Sequence, residues 1–162
     1  IMAMTGNYLR DIEAEDFGSI LIRFKNGAIG IVEGTACVYP KNLEETLSIF
    51  GATGCAVIGG LAVNRVQTWN FETPAPQDEL VAKLAGTDPK DVYGSGHNQL
   101  YANFINAVNT HTQPLVSGYE GIKAMKIVLA AYKSQKTGKA VAFDGLDFAS
   151  TDMTSADVKV NG

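Results

Sequence analysis

The sequence has few of the residues from which disulfide frameworks and metal centres are built. Its 162 residues include two cysteines, two histidines and one tryptophan. Two thiols cannot form a disulfide framework, and alone they cannot complete a tetrahedral zinc site. Cys37 and Cys55 lie in apolar, strand-like sequence. We therefore expect them to be buried structural thiols of a protein in the reducing cytoplasm.

Clustered positive charge and long apolar runs are lacking as well. The 13 lysines and arginines are outnumbered by 17 aspartates and glutamates, and the net charge is −4. This balance argues against a nucleic-acid partner. No apolar stretch approaches the ~20 residues of a membrane-spanning helix, so we expect no membrane partner. The first residues do not form a secretory leader, and the start at Ile1 suggests a piece of a longer polypeptide.

Strand-like alternation dominates the first two thirds of the chain. Residues 19–25 alternate, with Ile20, Ile22 and Phe24 on one face, as in a half-buried strand. Asn26-Gly27 predicts a hairpin with a type I′ turn, in which both central residues need positive φ. The returning strand is predicted at residues 28–38. Further strands are predicted at residues 1–9, 46–50, 55–58 and 61–71, with a turn at 51–54.

The last third has the periodicity of helices. A first helix is predicted from apolar side chains that recur at spacings of three and four, namely Leu100, Tyr101, Phe104, Ile105 and Val108. A second helix is expected to begin at Ser117, which can form a capping box with Glu120. Gly138 is expected to end this helix in a left-handed conformation.

The remaining segments complete the predicted order. Residues 71–93 carry three of the prolines and predict a long connection with at most a short helix at 78–84. Residues 140–143 predict a short last strand, and residues 144–162 a polar tail that is loose or wraps the domain. Strands followed by helices favour an α+β fold with an open, mostly antiparallel or mixed sheet and helices packed on one face.

Sequence motifs for cofactors, nucleophiles and metals are absent. A dinucleotide site needs G-x-G-x-x-G between a strand and a helix, whereas the two glycine pairs at 51/54 and 59/60 lie between predicted strands and are interpreted as turns or bulges. Gly94-Ser95-Gly96 precedes a helix but is a weak anion-site signal. There is no G-x-S-x-G elbow. The acidic cluster has no nearby histidine and is interpreted as a solvated loop: Asp11, Glu13, Glu15 and Asp16.

Two polar positions are open to a binding role. His97 lies one turn before Tyr101 on the apolar stripe of the first helix. A histidine there is either a satisfied core residue or, in the first turn after two glycines, a substrate contact. The stretch Tyr39-Pro40-Lys41-Asn42 joins two strands and is either a turn or a functional loop. His111, between the helices, is expected to be solvated.

The helical third resembles the end of the Gfo/Idh/MocA oxidoreductases, such as glucose-fructose oxidoreductase and inositol dehydrogenase. The matching motifs are Gly96-His97, Phe104-Ile105-Asn106-Ala107, Pro114 to Gly121, and Ala131 to Val141. The strand region is also similar, with Glu15-Asp16, the Asn26-Gly27 hairpin and the run Leu47 to Gly51 followed by Gly54. The resemblance covers residues 15 to 143, and its motifs are fairly specific as a set.

The resemblance implies a two-domain enzyme of which this chain is the second part. A nucleotide-binding domain for NAD or NADP would precede residues 1–143, the C-terminal α+β domain for substrate binding and oligomerisation, and residues 144–162 would be a tail. The family's catalytic lysine and histidine lie in motifs that this sequence does not contain, so no catalytic residue is assigned and this chain alone is expected to be inactive and to hold no cofactor.

The resemblance also implies substrate contacts. His97 and Tyr39 are the main candidates, and Lys41 and Asn42 are weaker ones. The implied substrate is a sugar, an inositol or a nucleotide-sugar hydroxyl. The runs YGSGHNQLY and KSQKTG resemble members that act on nucleotide-linked sugars such as uronates derived from UDP-N-acetylglucosamine.

Two other functions stay open at this stage. The chain could be a non-catalytic assembly module that forms a dimer or tetramer through the sheet face that the helices leave uncovered. It could also be a stand-alone binder of small ligands that uses the region of Tyr39 and His97.

Overall fold

The computed structural model describes residues 1–76, 78–83 and 96–159. It confirms the α+β class: the strands form two three-stranded antiparallel sheets, accompanied by three α-helices. The chain divides into two compact units. The first comprises Ile1–Val38 with Val116–Gly162, and the second comprises Tyr39–Leu115. Among the described residues, no helix is long and apolar enough to cross a membrane.

The sheet of the first unit has the order β1-β2-β3, with β1 at Met2–Gly6, β2 at Phe17–Arg23 and β3 at Ile29–Thr35. The three predicted strands are confirmed. Because facing residues of neighbouring strands share a face, the register places Ala3, Ile20 and Val32 on one face. The opposite face carries Met2, Leu21 and Ile31.

The hairpin between β2 and β3 is present, but its predicted turn type is wrong. Gly27 has a positive φ of 91° whereas Asn26 does not. The Gly27 N–H donates to the Phe24 carbonyl at 3.0 Å, and the Phe24 N–H donates to the Ala28 carbonyl at 2.9 Å. The Asn26 side-chain oxygen accepts from the Ala28 N–H at 3.1 Å. The result is a three-residue loop with a glycine in the left-handed position.

Helix α3, Gly118–Thr137, lies along β1. Buried Ala130, Ala131 and Ser134 allow the helix backbone to approach the strand closely. Ser134 Oγ accepts from the Ala3 N–H at 3.0 Å, and Gln135 Oε1 accepts from the Thr5 N–H at 2.9 Å. Small residues and two side-chain acceptors therefore fix the helix against the sheet.

The ends of α3 agree only in part with the sequence prediction. Gly138 ends the helix with φ of 66°, and its N–H donates to the Ser134 carbonyl, as predicted. The capping box is wrong, because the Ser117 side chain makes no capping hydrogen bond. The Glu120 carboxylate instead accepts from Lys123 Nζ at 2.7 Å. The Glu120 carboxylate is therefore paired with a lysine one turn ahead on the same helix.

The predicted strand at residues 140–143 is not formed. Val141 alone pairs with Ile1, through bonds of 2.7 and 2.9 Å between their backbone groups. The next outward N–H of β1, that of Ala3, donates instead to Ser134 Oγ at 3.0 Å, so the pairing does not continue along β1. The expected burial of the cysteines is also incomplete, because Cys37 and Cys55 are both half-buried free thiols.

The second unit contains β4 at Leu47–Gly51, β5 at Gly54–Gly59 and β6 at Arg65–Phe71 in the order β4-β5-β6. The strand predicted at 61–71 begins later than expected, because Gly60 and Val63 turn the chain with φ of 99° and 51°. Helix α1 spans Asp78–Lys83, and residue 84 of its predicted range lies outside the described residues.

A hydrogen bond pins α1 to β6. Trp69 Nε1 donates to Asp78 Oδ1 at 2.9 Å, and the other carboxylate oxygen accepts from the Ala75 N–H at 2.7 Å. These two donors, the Ala75 N–H first, lower the pKa of Asp78.

Helix α2 spans Gly96–Thr110 and contains all the apolar residues from which the first helix was predicted. Its predicted apolar stripe is exposed in the described structure. Among the α2 side chains, Ala107 alone is buried.

Candidate functional site

The histidine predicted to contact substrate lies at the beginning of α2. His97 is exposed, so the alternative of a buried core histidine is not what the structure shows. Its ring lies 6.5 Å from that of Tyr101 between centroids, with an interplanar angle of 33°. The two rings form a polar, aromatic edge that a ligand can reach. Gly94 and Ser95, which precede this edge, lie outside the described residues.

The second predicted cluster lies between β3 and β4. The Tyr39 side chain is 91% exposed, and a cis peptide bond joins it to Pro40. Lys41 and Asn42 are also exposed. Within the described parts of the chain, no hydrogen bond or ring contact connects these three residues to His97. Their role as substrate contacts stays a prediction.

A third cluster, which the sequence analysis missed, lies in the first unit. A cavity of about 320 Å³ opens beside α3 on the sheet face that carries Ile20 and Val32. Its floor includes Gly18 and Gly34, and Val128 and Ala131 of α3 form an apolar wall. The absence of side chains at the two glycines, which face each other across β2 and β3, leaves this space open.

One polar pair stands in the cavity wall. The Tyr132 O–H donates to Glu15 Oε1 at 2.8 Å. Partial burial, together with the hydrogen bond and the charge of Glu15, raises the pKa of Tyr132 to about 12. The phenol is therefore a protonated donor at neutral pH. Thr5 Oγ1, also at this cavity, is buried and has no hydrogen-bond partner among the described residues.

Asp16, next to this pair, corrects the interpretation of the acidic cluster as a solvated loop. Its side chain is 2% exposed, and its carboxylate accepts from the backbone N–H groups of Tyr8, Leu9 and Arg10 at 2.9, 2.6 and 2.7 Å. Burial raises the pKa of this carboxyl, but the N–H donors of Arg10, Leu9 and Tyr8 outweigh burial and lower it to about 2. Asp16 is thus a permanent anion that shapes the loop around it.

The chemistry of these groups is that of binding. A carboxylate, a phenol and a threonine hydroxyl can hold hydroxyl groups of a ligand, and the raised pKa of Tyr132 keeps its phenol protonated as a hydrogen-bond donor. Across residues 1–76, 78–83 and 96–159, no three metal-ligating side chains come together. In the sequence, only Glu15 in the acidic run pointed to this cluster. Its partner Tyr132 is 117 residues away, so no local pattern connects the two residues.

Comparison with known families assigns most of the chain. Residues 3–143 match the Gfo/Idh/MocA model described as "Oxidoreductase family, C-terminal alpha/beta domain". A comparison with curated protein sequences gives no significant match.

Solved structures give further similarities. The WlbA dehydrogenase from Bordetella pertussis, in complex with NADH and UDP-GlcNAcA, is 35% identical, with a TM-score of 0.77 over 85% of this chain and 40% of its own. The WlbA dehydrogenase from Chromobacterium violaceum, with the same two ligands, is 33% identical, with a TM-score of 0.74 over 85% of this chain and 38% of its own. This chain therefore spans about two fifths of the length of these enzymes.

A more distant structure shares the fold alone. An oxidoreductase from Agrobacterium radiobacter, in complex with NAD⁺, L-tartaric acid and magnesium, is 19% identical, with a TM-score of 0.59 over 88% of this chain and 42% of its own.

Proposed function

Because the chain belongs to the Gfo/Idh/MocA oxidoreductases through their C-terminal alpha/beta domain, we propose that it is the substrate-binding and self-associating part of an NAD(P)-dependent oxidoreductase. Its substrate would be a nucleotide-sugar hydroxyl. The observation that carries this proposal is the similarity, above 30% identity, to two dehydrogenases bound to NADH and UDP-GlcNAcA. The nicotinamide cofactor and the catalytic groups would belong to the three fifths of such enzymes that this chain does not span.

The proposed substrate contacts are His97 and Tyr39, with Lys41 and Asn42 in weaker roles. Their exposure supports this assignment, since an exposed imidazole and an exposed phenol can form hydrogen bonds with sugar hydroxyls. The Lys41 ammonium can form an ion pair with a diphosphate. The Glu15–Tyr132 cavity is the competing location within the same chain. A hydroxyl-rich ligand could bond the second oxygen of Glu15 there.

Titration with UDP-GlcNAcA, followed by amide NMR, would decide between these locations. We expect shifts around His97, and weaker binding in His97→Ala. The matched control is His111→Asn, because His111 is an exposed histidine whose φ of 54° asparagine tolerates. Shifts confined to Glu15 and Tyr132 would reject the His97 site. Absence of binding at millimolar ligand would count against a substrate role for this chain alone.

The same protein gives a test for the cofactor assignment. NADH fluorescence should not change on addition of this chain, since no glycine fingerprint coupled to a helix is present in its sequence. An enhancement that saturates would overturn the proposal that the cofactor binds elsewhere in the enzyme. The cytoplasmic location predicted from the cysteine content stays a prediction.

Self-association is proposed through the sheet face opposite the cavity. Met2, Leu21 and Ile31 form one apolar row across β1, β2 and β3, and all three are exposed. Contiguous exposed apolar surface of this kind marks an interface. The second copy is the favoured partner because Arg23 and Glu33 lie on the same face, two residues to either side of the row along the strands. A two-fold axis parallel to the row would place the Arg23 side of one copy over the Glu33 side of the other copy.

Sedimentation velocity would test this interface. Ile31→Glu should shift the protein to monomer, whereas Leu43→Glu should not, although the two side chains are 76% and 74% exposed. Arg23→Glu should weaken the dimer, and addition of Glu33→Arg should restore it. A wild-type protein that stays monomeric at 100-fold dilution and at high concentration alike would refute self-association.

A further inference from the structure

The segment after the family domain is folded onto the first unit. The family match ends at residue 143, and residues 144–159, here called the C-terminal strap, continue through two short 3₁₀ turns at Ser150–Asp152 and Ser155–Asp157. Val158, near the end of the strap, is 5% exposed. The structure therefore shows a strap that wraps the first unit and not a loose tail, and the strap buries an apolar side chain there.

Two lysines of α3 hold the middle of the strap. Lys133 Nζ donates to the Asp147 carbonyl at 3.0 Å. Lys136 Nζ donates to the Asp152 carbonyl and lies 3.3 Å from Asp157 Oδ2. Contacts of lysines that water can reach contribute little individually. The strap is therefore held by several weak contacts that can open reversibly.

The end of the strap continues the edge of the first sheet. The Asn7 N–H donates to the Val158 carbonyl at 2.8 Å, and Asn7 forms a parallel bridge with Lys159. Asn7 is also the first residue of the β1–β2 loop (residues 7–16). Its side-chain amide donates to the Ile12 and Ala14 carbonyls at 3.2 and 2.8 Å. The strap therefore touches the loop at the residue that folds the loop on itself.

The β1–β2 loop connects this contact to the cavity. Asp16 gathers the N–H groups of Tyr8, Leu9 and Arg10, and the Arg10 side chain donates from Nε to the Ala36 carbonyl at 2.8 Å. Glu15, the partner of Tyr132 in the cavity wall, directly precedes Asp16 in this loop. An unbroken series of hydrogen bonds and covalent links thus runs from Val158 to the Glu15 carboxylate.

We propose that the C-terminal strap is a latch that fixes the β1–β2 loop and, through it, the position of Glu15 at the cavity. Release of the strap would break the hydrogen bond between Asn7 and Val158 and loosen the β1–β2 loop. The Glu15 carboxylate would then be free to move relative to Tyr132 while the strands stay folded. This inference does not depend on the substrate of the enzyme, and the strap on which it rests lies beyond the family match.

Amide hydrogen exchange of the full chain would test the latch. In Val158→Asp, which places a charge where an apolar side chain is buried, we expect the amides of Leu9 and Arg10 to exchange about tenfold faster through local opening. The amide of Ile20, in the middle of β2, should keep its rate. The double variant Lys133→Ala/Lys136→Ala should give the same pattern with a smaller change, and Lys139→Ala, an exposed lysine after α3, should give none.

Two outcomes would overturn the proposal. Unchanged exchange at Leu9 and Arg10 in both strap variants would show that the loop holds its geometry without the strap. An equal acceleration at Leu9, Arg10 and Ile20 would show that the strap stabilises the whole unit instead of the loop. A second readout is the pKa of the Asp16 carboxyl by NMR, which should move upward from about 2 only if its N–H donors are loosened.

Discussion

Ser134 offers the sharpest test of how α3 is held against the sheet. It is completely buried, and its hydroxyl oxygen accepts from the Ala3 N–H at 3.0 Å. Ser134→Ala removes this acceptor and leaves a buried backbone N–H without a partner. The loss of a partner for a buried polar group costs about 1–3 kcal/mol, and the better helix propensity of alanine returns up to ~0.5 kcal/mol.

The net expectation is a loss of about 0.5–3 kcal/mol in the free energy of unfolding. Urea unfolding should be followed by NMR signals of β1 and β2, so that the transition of the first unit is read separately from that of the second. The Ala3 amide should also exchange faster than in the wild type. Ser155→Ala, at an exposed serine of the strap, is the control for the same chemical change.

A Ser134→Ala protein with an unfolding free energy less than ~0.5 kcal/mol below that of the wild type would refute the argument, since surface substitutions vary by that amount. It would mean that the Ala3 N–H finds another acceptor or that the helix moves at little cost.

Three further predictions test other features of the first unit. Gly121→Ala and Gly138→Ala both place a methyl group where no atom lies within 4 Å. Gly121→Ala should stabilise the first unit by ~0.5–1 kcal/mol, whereas Gly138→Ala should destabilise it by about 1 kcal/mol because Gly138 has a φ of 66°. Equal effects of the two substitutions on thermal unfolding would contradict this expectation. Tyr132→Phe should lower the unfolding free energy by about 0.5–1.5 kcal/mol, because it removes the hydrogen bond to Glu15. In Glu15→Gln, the Tyr132 ring signals should titrate below the wild-type pKa of about 12, and an unchanged titration would show that Glu15 does not raise the pKa of Tyr132. The pKa of Asp16 is lowered from 3.8 to about 2 on folding, so the unfolded chain binds more protons than the folded chain between these two pH values. The stability that Asp16 provides is therefore present above pH 3.8 and is lost as the pH falls toward 2. Asp16→Asn should flatten the dependence of the urea midpoint on pH in that window, and an unaltered slope would argue against the three N–H donors as the cause of the lowered pKa.

Local patterns predicted most of the secondary structure. The alternation that includes Ile20 and Ile22 identified β2, although Phe24 lies just beyond its end, and Gly138 identified the end of α3. These features depend on residues that are neighbours in sequence. The capping box was predicted from residue types and spacing alone. That pattern does not include side-chain geometry, and in the structure the Glu120 carboxylate accepts from Lys123 Nζ.

The contacts that shape the candidate site are mostly long-range. Tyr132 and Glu15 are 117 residues apart, and Ala3 and Ser134 are 131 residues apart. An acidic run such as residues 11–16 gives no sign of which carboxylate is buried, since burial of Asp16 depends on the course of the backbone at residues 8–10. The binding roles of His97 and Tyr39 stay predictions that came from resemblance.

The hydrogen bonds of β1 have a consequence for how the sheet can grow. The N–H groups of residues 1, 3, 5 and 7 point away from β2, and they donate to Val141, Ser134, Gln135 and Val158. An edge strand with unpaired N–H groups is a template for aggregation, and here three separate segments occupy those donors. The opposite edge strand, β3, pairs with β2 alone among the described strands. Addition of a foreign strand to this sheet should therefore be directional, with β3 open to it and β1 closed.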